Sequence, residues 1–387
     1  MTKYIFQRVC FALLTLFVII VVVYIMTAQF TENPFAKEAM NLGDKQSGGG
    51  KIDNERGYQL FRQSVTAHLT PNVNYADHAK DWFSLRVNIF VRLAYWFKDV
   101  FNKETPFGLP YNTTILSSVD VKTIPQFFFK YLKYSIIITL PSFIFSAFLG
   151  IILGIVAGYK RGSLFDAFIN AFSLLFIALP SFVIAPFIIS LFLKLGISPK
   201  FMNPDDDGNV MVFGWWAIIK SWLPPILILV LGSLSGYITF VRNQVITVLT
   251  SNYVLIAKTK GLGTVEIFLK YVLRNISIPL ATALIPSYIG LLTGGVVIES
   301  YWEIPGTSKV LASSFPNGEV NLIMFNTVFF TFLGLMTTIL VDVVYTILDP
   351  RIKYSSSSGT NWWQIYKSYS IREKTFKQLT VSQGGQA

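Results

Sequence analysis

Apolar residues in this chain are gathered into long blocks separated by shorter polar and basic segments. A hydrocarbon core about 30 Å thick is crossed by a helix of roughly 20 apolar residues, whose backbone groups bond within the helix. Six blocks reach that length, at residues 9–26, 134–158, 164–195, 218–241, 276–298 and 322–348. The pattern predicts an all-α polytopic membrane protein with six transmembrane helices. Pro180 and Pro186 predict that the third helix is kinked or tilted.

Lysine and arginine mark one side of this predicted bundle. If the N-terminus is inside, the inner segments hold most of the basic residues near helix ends: Lys3, Arg8, Lys160, Arg161, Arg242, Lys258, Lys260, Lys270 and Arg274. Basic residues favour the cytoplasmic side, so we expect both termini in the cytoplasm of a multi-pass protein of the plasma or inner membrane. The net charge of +11 then indicates contact with anionic lipid rather than with nucleic acid.

The blocks divide the chain into four parts. Residues 1–26 form the first helix, because its apolar run exceeds a signal-peptide core and no clear cleavage site follows it. Residues 27–133 form a long external loop with a flexible patch at 47–50. Residues 134–353 form a five-helix core that includes a cytoplasmic loop at 242–275. Residues 354–387 form a basic cytoplasmic tail.

Within the external loop, apolar residues recur at helical spacing from Asn88 to Phe101, with Asn88, Arg92 and Asp99 on the other side. This spacing predicts an amphipathic helix. Two placements are equally compatible with it: on the membrane surface or over the helix ends, and in the core of a small external subdomain.

The residues that catalysis or metal binding would require are scarce. Cys10 is the only cysteine, the two histidines lie in the external loop, and no phosphate-binding loop or serine nucleophile motif occurs. We therefore predict no catalytic residues, no metal site and no cofactor bound by this chain. Within the spans, Asp342 and Glu299 are candidates for ion coupling, although Asp342 lies close enough to the cytoplasmic end to pair with a basic residue.

The polar segment from Ser251 to Pro279, SNYVLIAKTKGLGTVEIFLKYVLRNISIP, resembles the cytoplasmic loop of ABC importer permeases of the oligopeptide/dipeptide branch. Five further segments resemble the B-type permease of that branch in the same order: residues 4–8, 178–182, 223–224 with 241–242, 296–306 and 348–352. The chain departs from the family pattern at Asn252 and at Leu255-Ile256, where the family has an acidic residue and Arg-Thr.

The resemblance implies a type I importer, in which this chain pairs with a second homologous permease subunit. Its other partners would be two cytoplasmic ABC ATPases, which bind ATP and Mg²⁺, and an external substrate-binding protein that delivers peptide. The expected substrate is an oligopeptide. A dipeptide, nickel or another small solute is the alternative within the family.

Two sets of residues are candidate sites. We expect the ATPases to be contacted by Tyr253, Ala257, Lys258, Lys260, Gly261 and Leu262. In that surface Ala257 would allow close approach, and Gly261 would permit either a sharp turn or close packing. Hydroxyl and amide side chains within the spans would line the substrate pathway: Ser181, Ser233, Ser235, Thr239, Ser287, Thr293, Asn326 and Thr337. The same groups commonly bond to carbonyls of their own helix instead.

Two other classes of protein remain possible at this point. A stand-alone secondary carrier or channel would depend on Asp342 or Glu299, but it would be expected to carry more charges at mid-membrane. A membrane scaffold would recruit proteins through its basic loops. The motifs inside the helices argue against a scaffold, since it would need only the loops.

Overall fold

The computed structural model describes residues 2–45, 54–79, 81–348 and 366–373, and all regular structure in these ranges is helical. The α-helices are α1 (Thr2–Phe30), α2 (Pro34–Lys45), α3 (Asn54–Thr66), α4 (Tyr75–His78), α5 (Ile89–Val100), α6 (Thr114–Ser117), α7 (Ile124–Tyr159), α8 (Leu164–Ala178), α9 (Ser181–Lys194), α10 (Asp207–Leu249), α11 (Asn252–Thr259), α12 (Thr264–Ile267), α13 (Leu273–Thr293), α14 (Val296–Tyr301), α15 (Thr307–Ser314) and α16 (Val320–Leu348). A 3₁₀ turn (Trp82–Ser84) and a π turn (Phe268–Val272) complete this set, and residues 366–373 are also helical. The predicted linker at 47–50, the motif after Leu348 and most of the predicted tail lie outside the described residues.

The predicted membrane spans are confirmed in place and type. Five helical stretches in the described ranges are long and apolar enough to cross a membrane: Tyr4–Asn41, Ile124–Tyr159, Gly208–Leu249, Thr264–Tyr301 and Val320–Leu348. The pair α8 and α9 makes a sixth span if it is counted as one. The second span begins at Ile124 rather than at Tyr134, because Thr123 caps the helix and Pro125 suits its first turn.

The third predicted span is broken rather than kinked. α8 and α9 meet at an angle of 105°. Leu179 and Pro180 between them are both extended. For Leu179 this follows from the steric preference of a residue before proline. Pro186 lies inside α9 without ending it. Pro180 is therefore the residue that produces the bend.

Three glycines join α7 to α10. A Cβ atom added at Gly150 would lie 2.5 Å from Tyr237 Cβ, and one added at Gly158 would lie 2.7 Å from Val245 Cγ1. Gly154 between them would meet Val241 and Ile238 at 2.8 and 2.9 Å. Residue numbers rise together on both helices, so α7 and α10 run in the same direction. Only glycine fits at these positions, since the backbones approach too closely for a side chain.

Ion pairs tie the two ends of the bundle. Arg8 lies 3.2 Å from Asp342 and joins the start of α1 to the end of α16. We call this the terminal end, and α11 lies there as well because it follows directly after α10. Asp342 thus pairs with a basic residue, as the structural interpretation of this carboxylate predicted. At the far end, Lys133 lies 2.6 Å from Asp205, and its hydrogen bond holds the pKa of that carboxyl below its usual range.

The residues between α1 and α7 form a helical subdomain at the far end. Its core contains Phe35, Leu60, Phe61, Leu69 and Trp82, all buried. The core gathers residues from α2, from α3 and from the turns that follow it, so this part of the predicted loop is folded where the structure describes it.

The predicted amphipathic helix is confirmed as α5, which packs along α1. The ring centroids of Trp96 and Tyr24 are 5.6 Å apart, and those of Phe97 and Phe17 are 5.9 Å apart. The placement of Arg92 on the polar side was wrong. Its side chain is buried against α1, where Nη1 donates to the Ala28 carbonyl at 3.4 Å.

Candidate functional site

The segment after α10 forms a short helix held on the terminal end of the bundle. α11 begins after Ser251, whose backbone is extended, and it lasts for two turns. Val254 and Ala257 are one turn apart and almost fully buried, at 0% and 2% exposure. They pack inward against the chain itself. Close approach of a partner at Ala257 stays a prediction, and in this chain its methyl group is already covered.

The outward face of α11 combines apolar and basic side chains. Tyr253, Leu255 and Ile256 are 43%, 48% and 55% exposed, and Lys258 and Lys260 are exposed beside them. Leu255 and Ile256 occupy the positions where the chain departs from the family pattern. They make this surface more apolar than the family pattern would.

Two residues after α11 add to the same region. Val265 in α12 is 71% exposed and Leu269 in the π turn is 57% exposed. Sequence analysis missed both, because an apolar residue close to a predicted span is ordinarily assigned to the span. We call Tyr253, Leu255, Ile256, Val265 and Leu269 together with the two lysines the α11 surface.

Gly261 ends this helix in a left-handed conformation with φ of +81°. Its amide donates to the Lys258 carbonyl, and the Leu262 amide donates to the Ala257 carbonyl at 3.3 Å, which is how a glycine commonly closes a helix. A Cβ atom at Gly261 would meet nothing within 4 Å in this chain. The sequence left two roles open for Gly261, a sharp turn and close packing. The sharp turn is observed, and none of the described residues packs closely against Gly261. Leu262 is half-buried against the bundle.

Most of the predicted pathway side chains bond to their own backbone. The hydroxyls of Ser235, Thr239, Thr293 and Thr337 each donate to a carbonyl four residues earlier, at 2.7–3.0 Å. The Ser287 hydroxyl donates to the Leu284 carbonyl at 2.7 Å, and it also lies 2.7 Å from the Tyr237 hydroxyl, which links α13 to α10.

Exposure separates these candidates further. Ser235 and Asn326 are 0% and 7% exposed, so their side chains are covered by this chain. Thr293 is exposed. The remaining five are half-buried: Ser181, Ser233, Thr239, Ser287 and Thr337.

Thr239 lies on the face of α10 that is turned away from α7. Gly232 and Gly236 lie on that same face, since at 100° per residue they fall roughly opposite Val241. A Cβ atom at either glycine would meet nothing within 4 Å. On α13, Gly290 and Thr293 are one turn apart, and Gly290 is likewise open. These small residues leave a shallow open face beside the packed core.

Glu299 has a structural environment rather than that of an ion-coupling group. It is 4% exposed, and its oxygens accept from Ser135 Oγ at 2.7 Å and from the Lys309 amide at 2.8 Å. The carboxylate thus accepts a hydrogen bond from a backbone amide in the first turn of α15, which has no partner within that helix, and links this turn to α7 through Ser135. Gly306 must be a glycine here, because an added Cβ atom would overlap the Glu299 carboxyl group.

In the described ranges, no three His, Cys, Asp or Glu side chains lie close enough together to hold a metal ion.

Comparison with known proteins places the chain among transport proteins. Over residues 150–354, more than half of its length, it matches the family described as binding-protein-dependent transport system inner membrane component. The matched region runs from the Gly150 contact through the α11 surface to the end of α16.

Individual relatives agree with this match. The oligopeptide transport system permease protein OppB of Mycoplasma genitalium is 30% identical over 253 residues, which are 65% of this chain and 61% of the relative. OppB of Mycoplasma pneumoniae is 32% identical over 252 residues, 65% of this chain and 64% of the relative. The dipeptide transport system permease protein DppB of Lactococcus lactis subsp. cremoris is 31% identical over 205 residues, 53% and 62% of the two chains. The chain thus matches less than two thirds of the length of each of these relatives.

Proposed function

The chain belongs to the family of binding-protein-dependent transport system inner membrane components, and from that premise we propose that it is a permease subunit of an ATP-driven peptide importer. Oligopeptides are the proposed substrates, with dipeptides as the alternative, because the matched relatives carry the names of oligopeptide and dipeptide permeases. ATP hydrolysis then takes place on separate subunits, and this chain is not an enzyme.

The observation that carries the proposal is the α11 surface. Tyr253, Leu255 and Ile256 project from a helix that is too short to span a membrane and is anchored by Val254 and Ala257. Apolar side chains exposed beside lysines on one small helix are typical of a surface that a partner covers. A groove on a cytoplasmic ABC ATPase is the proposed partner, and Lys258 and Lys260 steer it electrostatically.

The proposed orientation follows from the same assignment. If α11 contacts a cytoplasmic ATPase, the terminal end faces the cytoplasm and both termini lie there. The subdomain between α1 and α7 then lies outside, where an external binding protein delivers peptide.

The open face of α10 and α13 is the proposed contribution to the substrate pathway. Gly232, Gly236 and Thr239 on α10 and Gly290 and Thr293 on α13 leave room beside weakly polar groups. A second permease subunit facing them would complete a passage between the two chains. Such a passage suits peptides, whose backbone is constant while their side chains vary.

The proposal of a stand-alone carrier finds no support in the carboxylates that it would need. Asp342 is paired with Arg8, and Glu299 is bonded to Ser135 and the start of α15. Both groups are used in packing, and neither is placed to exchange ions with an open pathway.

Gly261 provides the test. The purified importer in lipid nanodiscs should hydrolyse ATP faster when the loaded binding protein is added. Gly261→Asn should keep most of this stimulation, since asparagine tolerates a left-handed backbone, whereas Gly261→Val should lose it. Gly263→Ala is the matched control, because Gly263 has an ordinary φ of −70°.

Three results would separate the alternatives. A chain that purifies without ATPases and transports peptide by itself would overturn the proposal. Loss of stimulation in both Gly261 variants, with ATPases still bound, would mean that the partner requires the missing side chain rather than the turn. Equal stimulation in all variants would remove Gly261 from the coupling surface.

A further inference from the structure

A cavity of about 560 Å³ lies in the subdomain between α1 and α7. It opens between the end of α3, one face of α5 and the stretch at residues 105–113, and we call it the α5 cavity. Its volume falls in the range of sites that enclose small organic ligands. It is separate from the α11 surface and from the open face of α10 and α13, neither of which shares a lining residue with it.

Arg92 brings a buried positive charge to this cavity. Its side chain is 8% exposed, yet it takes part in no ion pair within the described part of the chain. Around it lie the Ala28 carbonyl at 3.4 Å and the hydroxyls of Tyr24 and Tyr111, and the buried Glu319 acts electrostatically on the same Tyr111. A guanidinium removed from water without a carboxylate partner is costly. The geometry of its paired N–H donors suits a carboxylate.

Asp99 brings an uncompensated negative charge to the same cavity. It is half-buried, and its carboxylate oxygens have no hydrogen-bond or ion-pair partner in the described ranges. Burial raises the pKa of Asp99 above its usual value, and the nearby charges of His68 and Lys98 only partly oppose this. An ammonium group placed in the cavity would stabilise the ionised carboxylate.

Arg92 and Asp99 lie on one face of α5. They are seven residues apart, so their backbone positions are separated by two turns and about 10 Å along the axis. An extended peptide spans at most about 3.3–3.6 Å per residue, so the termini of a tripeptide are separated by about 10 Å. Trp96 and Tyr95 lie between the two charges and line the cavity with aromatic surface.

The walls of the cavity are fixed in unusual conformations. His68 has a φ of +55° and stacks on Tyr95 with ring centroids 3.7 Å apart, and Phe107 has a φ of +66°. Such non-glycine residues cost free energy and persist where the surrounding structure holds them, often at ligand sites. The stretch at 105–113 is held by Glu319, which accepts from the amides of Tyr111 and Asn112 at 2.8 Å each.

We propose that the α5 cavity is a binding site for short zwitterionic peptides of about three residues, with the peptide carboxylate at Arg92 and its ammonium group at Asp99. The site binds the two charged termini of the peptide, while the peptide side chains contact the aromatic walls. It is therefore selective for peptide length rather than for sequence. The choice of peptide over another zwitterion rests on the proposed function.

Binding of defined peptides to the full chain alone, in lipid nanodiscs, tests this inference. Isothermal titration calorimetry would compare trialanine with its C-terminal amide and its N-acetyl form, which remove one charge each. Alanine, dialanine and pentaalanine vary the length. We expect trialanine to bind best, and each capped form to bind at least tenfold more weakly.

Variants locate the site. Arg92→Gln and Asp99→Asn should each weaken trialanine binding at least tenfold, and Arg92→Gln should abolish the preference for the free carboxylate. Thr66 lines the cavity from α3, and Thr66→Trp should fill part of it while leaving both charged residues in the sequence, so it keeps the test valid if the Arg92 variant does not fold. Lys103→Gln is the matched control, because Lys103 is exposed just beyond the end of α5 and does not line the cavity.

Several outcomes would overturn the inference: no binding, equal binding of the capped peptides, or binding unchanged by the Arg92, Asp99 and Thr66 variants. Competition by inorganic phosphate or phosphatidylglycerol vesicles without any peptide preference would assign the site to an anion instead. Because the chain is tested without its partners, a failure of this site can be distinguished from a failure of the proposed function. An importer whose permease alone binds no peptide retains that function and lacks this site.

Discussion

Alanine at Gly154 tests the close approach of α7 and α10. The added methyl group would lie 2.8 Å from Val241 Cβ and 2.9 Å from the Ile238 carbonyl oxygen. Carbon atoms pack best at about 3.5–4.0 Å, so the two helices must separate by several tenths of an ångström or bend. Overpacking of this kind costs about 1–3 kcal/mol. Alanine regains up to about 1 kcal/mol of helix propensity, which leaves a net loss of up to about 2 kcal/mol when that gain is complete.

Gly236→Ala is the matched control for this substitution. Gly236 lies in α10, and an added methyl group there meets nothing within 4 Å. The control should therefore gain up to about 1 kcal/mol from helix propensity alone. The two variants undergo the same chemical change, and only the space around the glycine differs.

The assay is thermal stability of the isolated chain in mild detergent, followed by size-exclusion chromatography of heated samples. The propensity gain is common to both variants, so they should differ by the overpacking cost of about 1–3 kcal/mol, which corresponds to several degrees in the midpoint of unfolding. We expect Gly154→Ala below the wild-type chain and Gly236→Ala at or above it. A Gly154 variant at least as stable as the Gly236 variant would refute the argument that the α7–α10 contact requires glycine.

Three further predictions concern polar ties. Asp166→Asn should destabilise the chain by about 3–5 kcal/mol, because the mostly buried Arg242 loses the carboxylate that lies 2.6 Å from its Nε. The readout is the melting midpoint in detergent, and exchanging the two residues, which restores the ion pair, should recover part of the loss. Glu299→Gln should lower the free energy of unfolding by about 1–3 kcal/mol, because one oxygen that accepts from the α15 amides becomes an NH₂ donor. The measurement is the rate of proteolysis after Ser314, at the end of α15, which should rise. The hydrogen bond from Lys133 lowers the pKa of Asp205 in the folded chain. The ion pair therefore stabilises the fold fully above the unfolded pKa of about 3.9, and this stabilisation is lost as the pH falls through the lower, folded pKa. The tie is exposed and worth under about 1 kcal/mol, and Lys133→Gln should flatten this part of the stability–pH curve measured from pH 2 to 6.

The lengths of the apolar blocks and the position of Pro180 in the sequence were enough to predict the helical architecture. Runs of apolar residues located every span, and helical spacing located α5 within one residue of its observed ends. Pro180 marked the third span as irregular. The backbone preference of Leu179, the residue before Pro180, does not determine an angle between two helices. The bend of 105° depends on how α9 packs against its neighbours, which the sequence does not show.

The errors arise where a side chain follows tertiary contacts instead of polarity. Arg92 was assigned to water because it is charged, but its guanidinium lies against the end of α1. The four-residue spacing of Gly150, Gly154 and Gly158 was visible in the sequence. Their partner on α10 was not, since spacing alone does not show which helix approaches.

The contact of α7 with α10 also limits how the molecule deforms. From residue 215 to 249, α10 is about 50 Å long, and the glycine contacts hold its later half to α7 as a single stiff rod. A tilt of about 10° around the middle of that rod moves each end by roughly 4–5 Å in opposite directions. A push on α11 at one end therefore becomes a displacement near Asp205 at the other. The tie between Lys133 and Asp205 moves with the rod, so such a tilt must be absorbed by the joints around it, at the bend beside Pro180 and along α13.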